Sequence, residues 1–301
     1  MRINILGSAA GGGFPQWNCR CLNCQLAWNK DPRVQLRTQS SLAISADGDH
    51  WLLLNASPDL RQQIAGTPAL HPRLGSRHSP IRDVLVTNGD IDHIAGLLTL
   101  REQQAFGLYG TRETLAELAA NPVFGVLNPA LVKRVAVELG QTVDPGLGFS
   151  VTTFAVPGKV PLYMETASIE RDIGAETETT IGLEIVWDGK RLYYIPGCAK
   201  ITPALIARID GAAALFFDGT TFTDDEMVTL GLSQKTAWRM GHVAMSGEAG
   251  SMALLAGCDV GERVYIHINN TNPVLREDSA ERADVIGAGW EIGYDGLETD
   301  L

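Results

Sequence analysis

The stretch Asp83-Val-Leu-Val-Thr-Asn-Gly-Asp-Ile-Asp-His-Ile-Ala-Gly96 concentrates oxygen and nitrogen donors in a few residues. An apolar run ends at Thr87, and polar side chains follow at Asn88, Asp90, Asp92 and His93 before a helical pattern begins. Alternate residues of an extended segment face one way, so Asn88, Asp90 and Asp92 converge and His93 joins them at the turn. Carboxylates and an imidazole brought together in this way suit a metal ion. The same acids also suit the positive end of a helix, so the segment by itself leaves both readings open. A second cluster, Cys19-x-Cys21-x2-Cys24, sets three thiols within six residues. Sulfur-rich sets of this kind hold structural zinc; three buried free thiols is the plainer alternative. Five cysteines, an odd number and crowded at one end, do not describe a disulfide framework. Cys258 reads as core.

The elements that must position these residues are short β-branched runs alternating with amphipathic segments. Strands are expected at Ile3–Leu6, Ser41–Ser45, Trp51–Asn55, Asp83–Thr87, Phe149–Val156, Gly182–Trp187, Arg191–Ile195, Ala213–Asp218, Arg263–Ile268 and Trp290–Tyr294. Helices are expected at Pro58–Ala65, Ile91–Phe106, Arg112–Ala120, Thr202–Ile209, Asp224–Leu230 and Ser246–Ala256, the last with Ser246 as its N-cap. Strand-rich halves with helices behind them predict an α/β fold of two packed mixed sheets flanked by helices, in one domain spanning 1–301. Neighbouring strands without an intervening helix, Ser41 to Trp51 and Gly182 to Arg191, read as hairpins and argue against a doubly wound parallel sheet. Residues 157–180 are polar and poorly periodic and read as a loop near the site.

Composition limits the partners. The net charge is −11 with no basic run, which disfavours nucleic acid as a partner. No window approaches the roughly 18 apolar residues of a membrane span, so no membrane partner is expected. The first residues lack the apolar core and cleavage site of a secretory signal, so a cytoplasmic protein is expected. The sequence is also compatible with a homodimer. His50, His71 and His78 lie in turn-like stretches and read as loop residues apart from any chemistry.

Asn88-x-Asp90-x-Asp92-His93 resembles the H-x-H-x-D-H signature of the metallo-β-lactamase superfamily, in its strand-to-helix setting. Further stations follow in order along the chain. Val156-Pro157-Gly158-Lys159 stands where many members have Pro-Gly-His, and Tyr194-Ile-Pro-Gly-Cys198 where they have Gly-Asp. Phe216-Phe-Asp218-Gly-Thr-Thr-Phe222 and Gly241-His242 resemble two more active-site stretches, and Tyr265-Ile-His267 resembles the strand of the last ligand. The end, Ile292-Gly-Tyr-Asp-Gly-Leu297, resembles the closing strand.

The resemblance implies an αββα sandwich and two metal positions. The first, normally three histidines, falls on Asn88, Asp90 and Lys159; an ammonium offers no lone pair and repels a cation, so this position should be empty. The second keeps Asp92, His93 and His267, with Cys198 at the bridging place. Two imidazoles and one carboxylate form the facial triad that suits Fe(II) and dioxygen, and a mononuclear zinc site can use the same set. Asp90, Lys159, Asp218 and His242 would surround the ion as catalytic or substrate-positioning groups; an Asp–Lys pair could equally serve to neutralise a cavity. Relatives with the cysteine cluster take their fourth zinc ligand from a histidine three residues beyond the last active-site histidine. Here that residue is Asn270, which leaves the fourth ligand open.

Gly7-Ser-Ala-Ala-Gly-Gly-Gly-Phe-Pro-Gln-Trp-Asn-Cys-x-Cys21, with His267-Ile-Asn-Asn-Thr-Asn-Pro273, is similar to one family within that superfamily, the B proteins of pyrroloquinoline quinone (PQQ) synthesis. That resemblance implies iron- and O2-dependent hydroxylation of the tyrosine ring in a linked Glu–Tyr precursor. Its cofactors would be Fe(II) at the triad and structural zinc at the cysteines. The alternatives are a carrier for PQQ or its precursor and a zinc-dependent hydrolase.

Overall fold

The runs Ser41–Ser45 and Trp51–Leu54 are buried at every position rather than at alternate ones, which requires cover on both faces. A computed structural model, which describes residues 1–164 and 173–301, supplies that cover with two seven-stranded sheets. The first sheet draws on β1 (Arg2–Gly7), β2 (Ser41–Ser45), β3 (Trp51–Leu54), β4 (Ile81–Leu85), β5 (Phe106–Gly110) and β6 (Val132–Ala136). The second comprises β7 (Thr142–Val143), β8 (Ser150–Gly158), β9 (Ala175–Trp187), β10 (Lys190–Ile195), β11 (Ala212–Asp218), β12 (Val260–Ile266) and β13 (Glu291–Ile292). A last strand, β14 (Glu298–Asp300), crosses back to pair antiparallel with β1, so the orders are β14-β1-β2-β3-β4-β5-β6 and β13-β12-β11-β10-β9-β8-β7.

The two sheets meet through one face of each strand. Ile3, Ile5, Leu42, Ile44, Leu52 and Leu54 of the first share a core layer with Ile181, Leu183, Ile185, Leu192, Tyr194, Phe216 and Ile266 of the second. The alternate residues Ala43, Trp51 and Leu53 point outward, under Leu60, Ile94, Leu97 and Leu118. On the far side Tyr193, Ile195, Leu215, Phe217 and Tyr265 pack beneath Leu205, Ile209 and Val285. Helices supply these outer layers: α1 (Leu22–Trp28), α2 (Leu60–Gly66), α3 (Ile91–Ile94), α4 (Arg112–Ala120), α5 (Pro203–Ile209), α6 (Glu226–Thr229), α7 (Ser251–Leu254) and α8 (Ala280–Gly287). The expected αββα layering is what the chain adopts, and the two expected hairpins are the antiparallel pairs β2–β3 and β9–β10. Strands β3 to β6 run parallel, as do β10 to β13. Their carboxyl ends are where open α/β sheets place their sites.

Several local expectations are corrected. The helix expected over Ile91–Phe106 stops being α-helical after Ile94, continues as a 3-10 turn over Ala95–Arg101, and Phe106 opens β5. Gly96 explains the break: its N–H donates to Ala56 O (2.8 Å) instead of to the helix, and a Cβ there would collide with the Ser57 carbonyl. Ser246 is not a helix cap, because its hydroxyl donates to Phe222 O (2.6 Å) and α7 starts only at Ser251, capped by Gly250. Of the strand expected at Trp290–Tyr294 and the closing strand at Ile292–Leu297, only Glu291–Ile292 is strand, as β13; residues 293–297 cross between the sheets, and β14 begins beyond them at Glu298. Of residues 157–180, the first two end β8 and 175–180 begin β9, while 165–172 lie outside the described residues. Among the described residues no helix is long and apolar enough to cross a membrane.

One carboxyl in the first sheet gives a pH-dependent prediction. Asp83 on β4 is buried and accepts from Gly107 N (3.1 Å); burial pushes its pKa up to about 6. The folded state therefore holds a proton that the unfolded chain has released, and stability falls as pH rises from about 4 to about 6. Asp83→Asn keeps an acceptor for Gly107 and should raise stability at neutral pH by on the order of 1–3 kcal/mol. The gain should vanish below about pH 4, which urea unfolding of both proteins across that range would check.

Candidate metal centre

Strand β4 ends at Leu85, short of the expected Thr87, because Asn55 takes over the backbone beyond it. Asn55 sits in the left-handed region (φ 65°), accepts from Thr87 N (2.9 Å), and donates to Thr87 Oγ1 (3.0 Å) and Tyr194 OH (3.2 Å). The chain then bends, and Asn88, Asp90 and His93 meet across a turn rather than along an extended face. Asn88 Nδ2 donates to Asp90 Oδ2 (3.1 Å), which leaves Asn88 Oδ1 to accept from Asp90 N (3.0 Å) and His93 Nδ1 (2.7 Å). With its proton on Nδ1, His93 presents a bare Nε2, which is buried, has no hydrogen-bond partner and lies 3.8 Å from Asp92 Oδ2.

The third member arrives from the second sheet. His267 follows β12 in the left-handed region (φ 55°), a conformation that non-glycine residues hold only when their surroundings enforce it. Its Nε2 lies 3.0 Å from Asp92 Oδ2, and its ring stands edge-on to that of His93 at 5.4 Å. Donor atoms of Asp92, His93 and His267 all fall within 4.8 Å of one another. Burial lowers the pKa of His93. Burial opposes ionisation of Asp92 too, yet the neighbouring imidazoles hold its carboxyl well below the usual range. His267 is raised despite burial, because it is hydrogen-bonded to that carboxylate. An unpartnered buried imidazole nitrogen beside a carboxylate and a second imidazole is a donor set that fits one divalent cation. The glycine-rich opening loop closes over it: a Cβ on Gly11 would lie 3.4 Å from Asp92 Cγ.

The neighbouring residues are engaged with one another. Lys159 Nζ is 3.9 Å from Asp90 Oδ1 and donates to Val160 O (3.3 Å), while its methylenes run past Gly241, where a Cβ would crowd them. Asp218 is fully buried; its Oδ2 accepts from His242 Nδ1 (2.7 Å) and Cys198 N (2.9 Å). Its Oδ1 accepts from Thr220 N (3.0 Å) and Thr220 Oγ1 (2.7 Å). Asp218, His242 and His267 also bring donors within 4.8 Å, and the His242 ring stacks on that of His267 at 5.1 Å. Cys198, placed at the bridging position by sequence, is outside every donor cluster found among the described residues. Its thiol is fully buried and donates to Lys200 O (3.2 Å); burial and the charge of Asp218 push its pKa far up, so it stays protonated.

The cysteines converge on the loop after His267. Cys19, Cys21 and Cys24 bring their sulfurs within 4.8 Å, and Asn270 Nδ2 donates toward all three at 3.2, 3.6 and 3.3 Å. A hydrogen bond from Cys24 pulls the Cys21 thiol down and pushes that of Cys24 up. Asn23 Nδ2 ties the cluster to the same loop, donating to Asn270 O (3.1 Å) and Asn272 O (2.8 Å). Cys258 lies in the core, and His50, His71 and His78 bond only locally, to Asp47, Ala65 and Arg73. Sequence reasoning missed Asn55 and Thr220. Neither belongs to a metal-ligating type, and their roles come entirely from tertiary neighbours.

Two helix-flanked sheets with a carboxylate–imidazole cluster at the strand ends define a β-lactamase-superfamily protein, and residues 50–268 match the Beta-lactamase superfamily domain. This fold is that of metal-dependent enzymes. Coenzyme PQQ synthesis protein B of Methylorubrum extorquens (strain PA1) is 61% identical over 301 residues, covering all of both chains. The protein of that name from Xanthomonas oryzae pv. oryzae (strain MAFF 311018) is 52% identical over the same span. The crystal structure of Zn(2+)-bound PqqB from Methylobacterium extorquens matches with a TM-score of 0.98 at 60% identity, again covering both chains fully. The chain belongs to the coenzyme PQQ synthesis protein B family. A diphosphatase of the PhnP family, 19% identical with a TM-score of 0.71, shares the fold.

Proposed function

We propose that this protein acts in PQQ synthesis as a non-haem Fe(II)- and O2-dependent hydroxylase of the tyrosine ring in a Glu–Tyr precursor. The observation that carries the reading is the contrast between Asp92, His93 and His267, which converge, and Asn88, Asp90 and Lys159, which are spent on one another. A lone cation with two imidazoles and one carboxylate keeps open positions, and Fe(II) so held supplies dioxygen activation. In the overall reaction a ring C–H becomes C–OH, the second oxygen atom leaves as water, and an external reductant provides two electrons. Two protons are taken up with them. The Asp218–His242 pair holds a proton on Nδ1 next to the triad and can relay one to or from substrate. Lys159, only 17% exposed at its side chain, is placed to meet a substrate carboxylate, with Asp90 limiting its reach. Structural zinc belongs on Cys19, Cys21 and Cys24; the Asn270 amide faces the sulfurs through Nδ2, a hydrogen-bond donor, so the fourth ligand stays open.

The test is to load the protein with Fe(II) and supply a Glu–Tyr dipeptide and ascorbate in air. The expected product gains one oxygen atom, which derives from labelled dioxygen and not from labelled water. Cleavage of a substrate bond by the zinc-loaded protein without oxygen would replace this reading with a hydrolase. Tight binding of PQQ without oxygen uptake would replace it with a carrier.

A further inference from the structure

Thr220 lies at the junction of the two histidine pairs. It is 4% exposed, and its hydroxyl oxygen has four polar neighbours: Asp218 Oδ1 at 2.7 Å, His267 Nδ1 at 2.9 Å, His242 Nδ1 at 3.1 Å and His267 O at 3.1 Å. A hydroxyl has one proton to give and two lone pairs to receive with. The carboxylate is its nearest neighbour and can only accept, so the proton goes to Asp218 Oδ1. A lone pair then faces Nδ1 of His267, and that ring must donate from Nδ1. His242 takes the same tautomer from Asp218 Oδ2 at 2.7 Å, with the Thr220 oxygen farther off at 3.1 Å. Both imidazoles are thereby left with Nε2 free of a proton once a cation replaces the contact between His267 Nε2 and Asp92.

We propose that Thr220 is a positioning residue whose single hydroxyl, with its proton given to Asp218, sets the Nδ1–H tautomer of His267 and so ties that cation ligand to the Asp218–His242 pair. This rests on the ligand set proposed above, but not on which metal binds or on hydroxylation. Partners that orient a metal-bound imidazole are typically worth about 10–100-fold in metal affinity. Thr220→Val keeps the shape and removes the hydroxyl, so zinc affinity at the triad should fall by about that factor. Thr220→Ser should restore it.

The experiment is a zinc competition titration of the full chain with its cysteine cluster filled, together with ring-nitrogen NMR of the histidine-labelled, zinc-loaded protein. Expected are Nδ1–H signals for His267 and His242 in the wild type, weakened zinc binding with a mixed His267 tautomer and an unchanged His242 in Thr220→Val, and rescue in Thr220→Ser. An Nε2–H tautomer on His267 of the wild type would overturn the inference even if Thr220→Val fails to fold. So would unchanged zinc affinity in a folded Thr220→Val. Undiminished binding in His93→Ala is a different failure, because it removes the ligand set itself and the inference with it.

Discussion

Replacing His93 with alanine should leave a folded protein that no longer holds the cation at the triad and no longer turns over. Two features of the site make this contrast sharp. His93 Nε2 is buried with no hydrogen-bond partner, so a metal-free preparation loses no bond at that atom when the ring is removed. The ring's other nitrogen does lose one, to Asn88 Oδ1, and the freed amide oxygen keeps its bond from Asp90 N. The cost in metal-free stability is therefore that of one hydrogen bond and a small cavity, about 1–3 kcal/mol. Metal affinity should fall by more than the roughly 100-fold that loss of an orienting partner can cause, because a ligand itself has gone. His267→Ala differs in the metal-free state: it strips Asp92 of a 3.0 Å partner and leaves a carboxylate only 14% exposed with His93 as its remaining imidazole neighbour. It should be the less stable of the two variants. Thermal melts of metal-free protein, paired with metal titrations, check both statements. Equal metal affinity in His93→Ala and wild type would sink the ligand assignment.

How much of this was legible in the sequence differs by element. Strand β2 and helix α4 fall on their expected residues because each has a local cause. The first centres on the apolar Leu42-Ala-Ile44, and the second is capped by Thr111, whose hydroxyl accepts from Thr114 N. Strands β5 and β6 went unread. Phe106-Gly-Leu-Tyr-Gly110 carries two glycines, and Gly107 is there because the Asp83 carboxyl occupies the space of a Cβ. Val132-Lys-Arg-Val-Ala136 carries two cations, as suits the strand at the sheet's edge. In the site, spacing brought Asp92 and His93 together but left a helix terminus as an equal reading; family resemblance chose them, and it alone supplied His267, 174 residues beyond His93. The roles of Asn55, Asn88 and Thr220 were not legible at all. Each depends on which atom faces which neighbour, and that is decided only when the two sheets close.

Converting Cys24 to serine should remove one equivalent of zinc and lower the melting temperature by roughly 5–10 °C, at about 2–4 °C per kcal/mol for a chain of this class or larger. The substitution preserves size at a fully buried position and removes only the soft donor. Three sulfurs within 4.8 Å of one another repel if all ionise, unless a cation lies between them. Structural zinc contributes on the order of 10–16 kcal/mol where it organises an isolated peptide. Its share should be smaller here, because Phe14, Cys24 and Ala27 also pack into the core. The more informative consequence lies at a distance. The cluster grips Asn270, Asn23 grips the backbone at Asn270 and Asn272, and this loop begins at His267 with its left-handed backbone. Loosening the cysteines should therefore relax His267 and weaken cation binding at the triad as well, although no cysteine approaches it. Elemental analysis and a cation titration of Cys24→Ser measure the two effects separately. Full zinc content in the variant would show that the thiols hold no metal, and an unchanged triad affinity would show that the loop passes no constraint to His267.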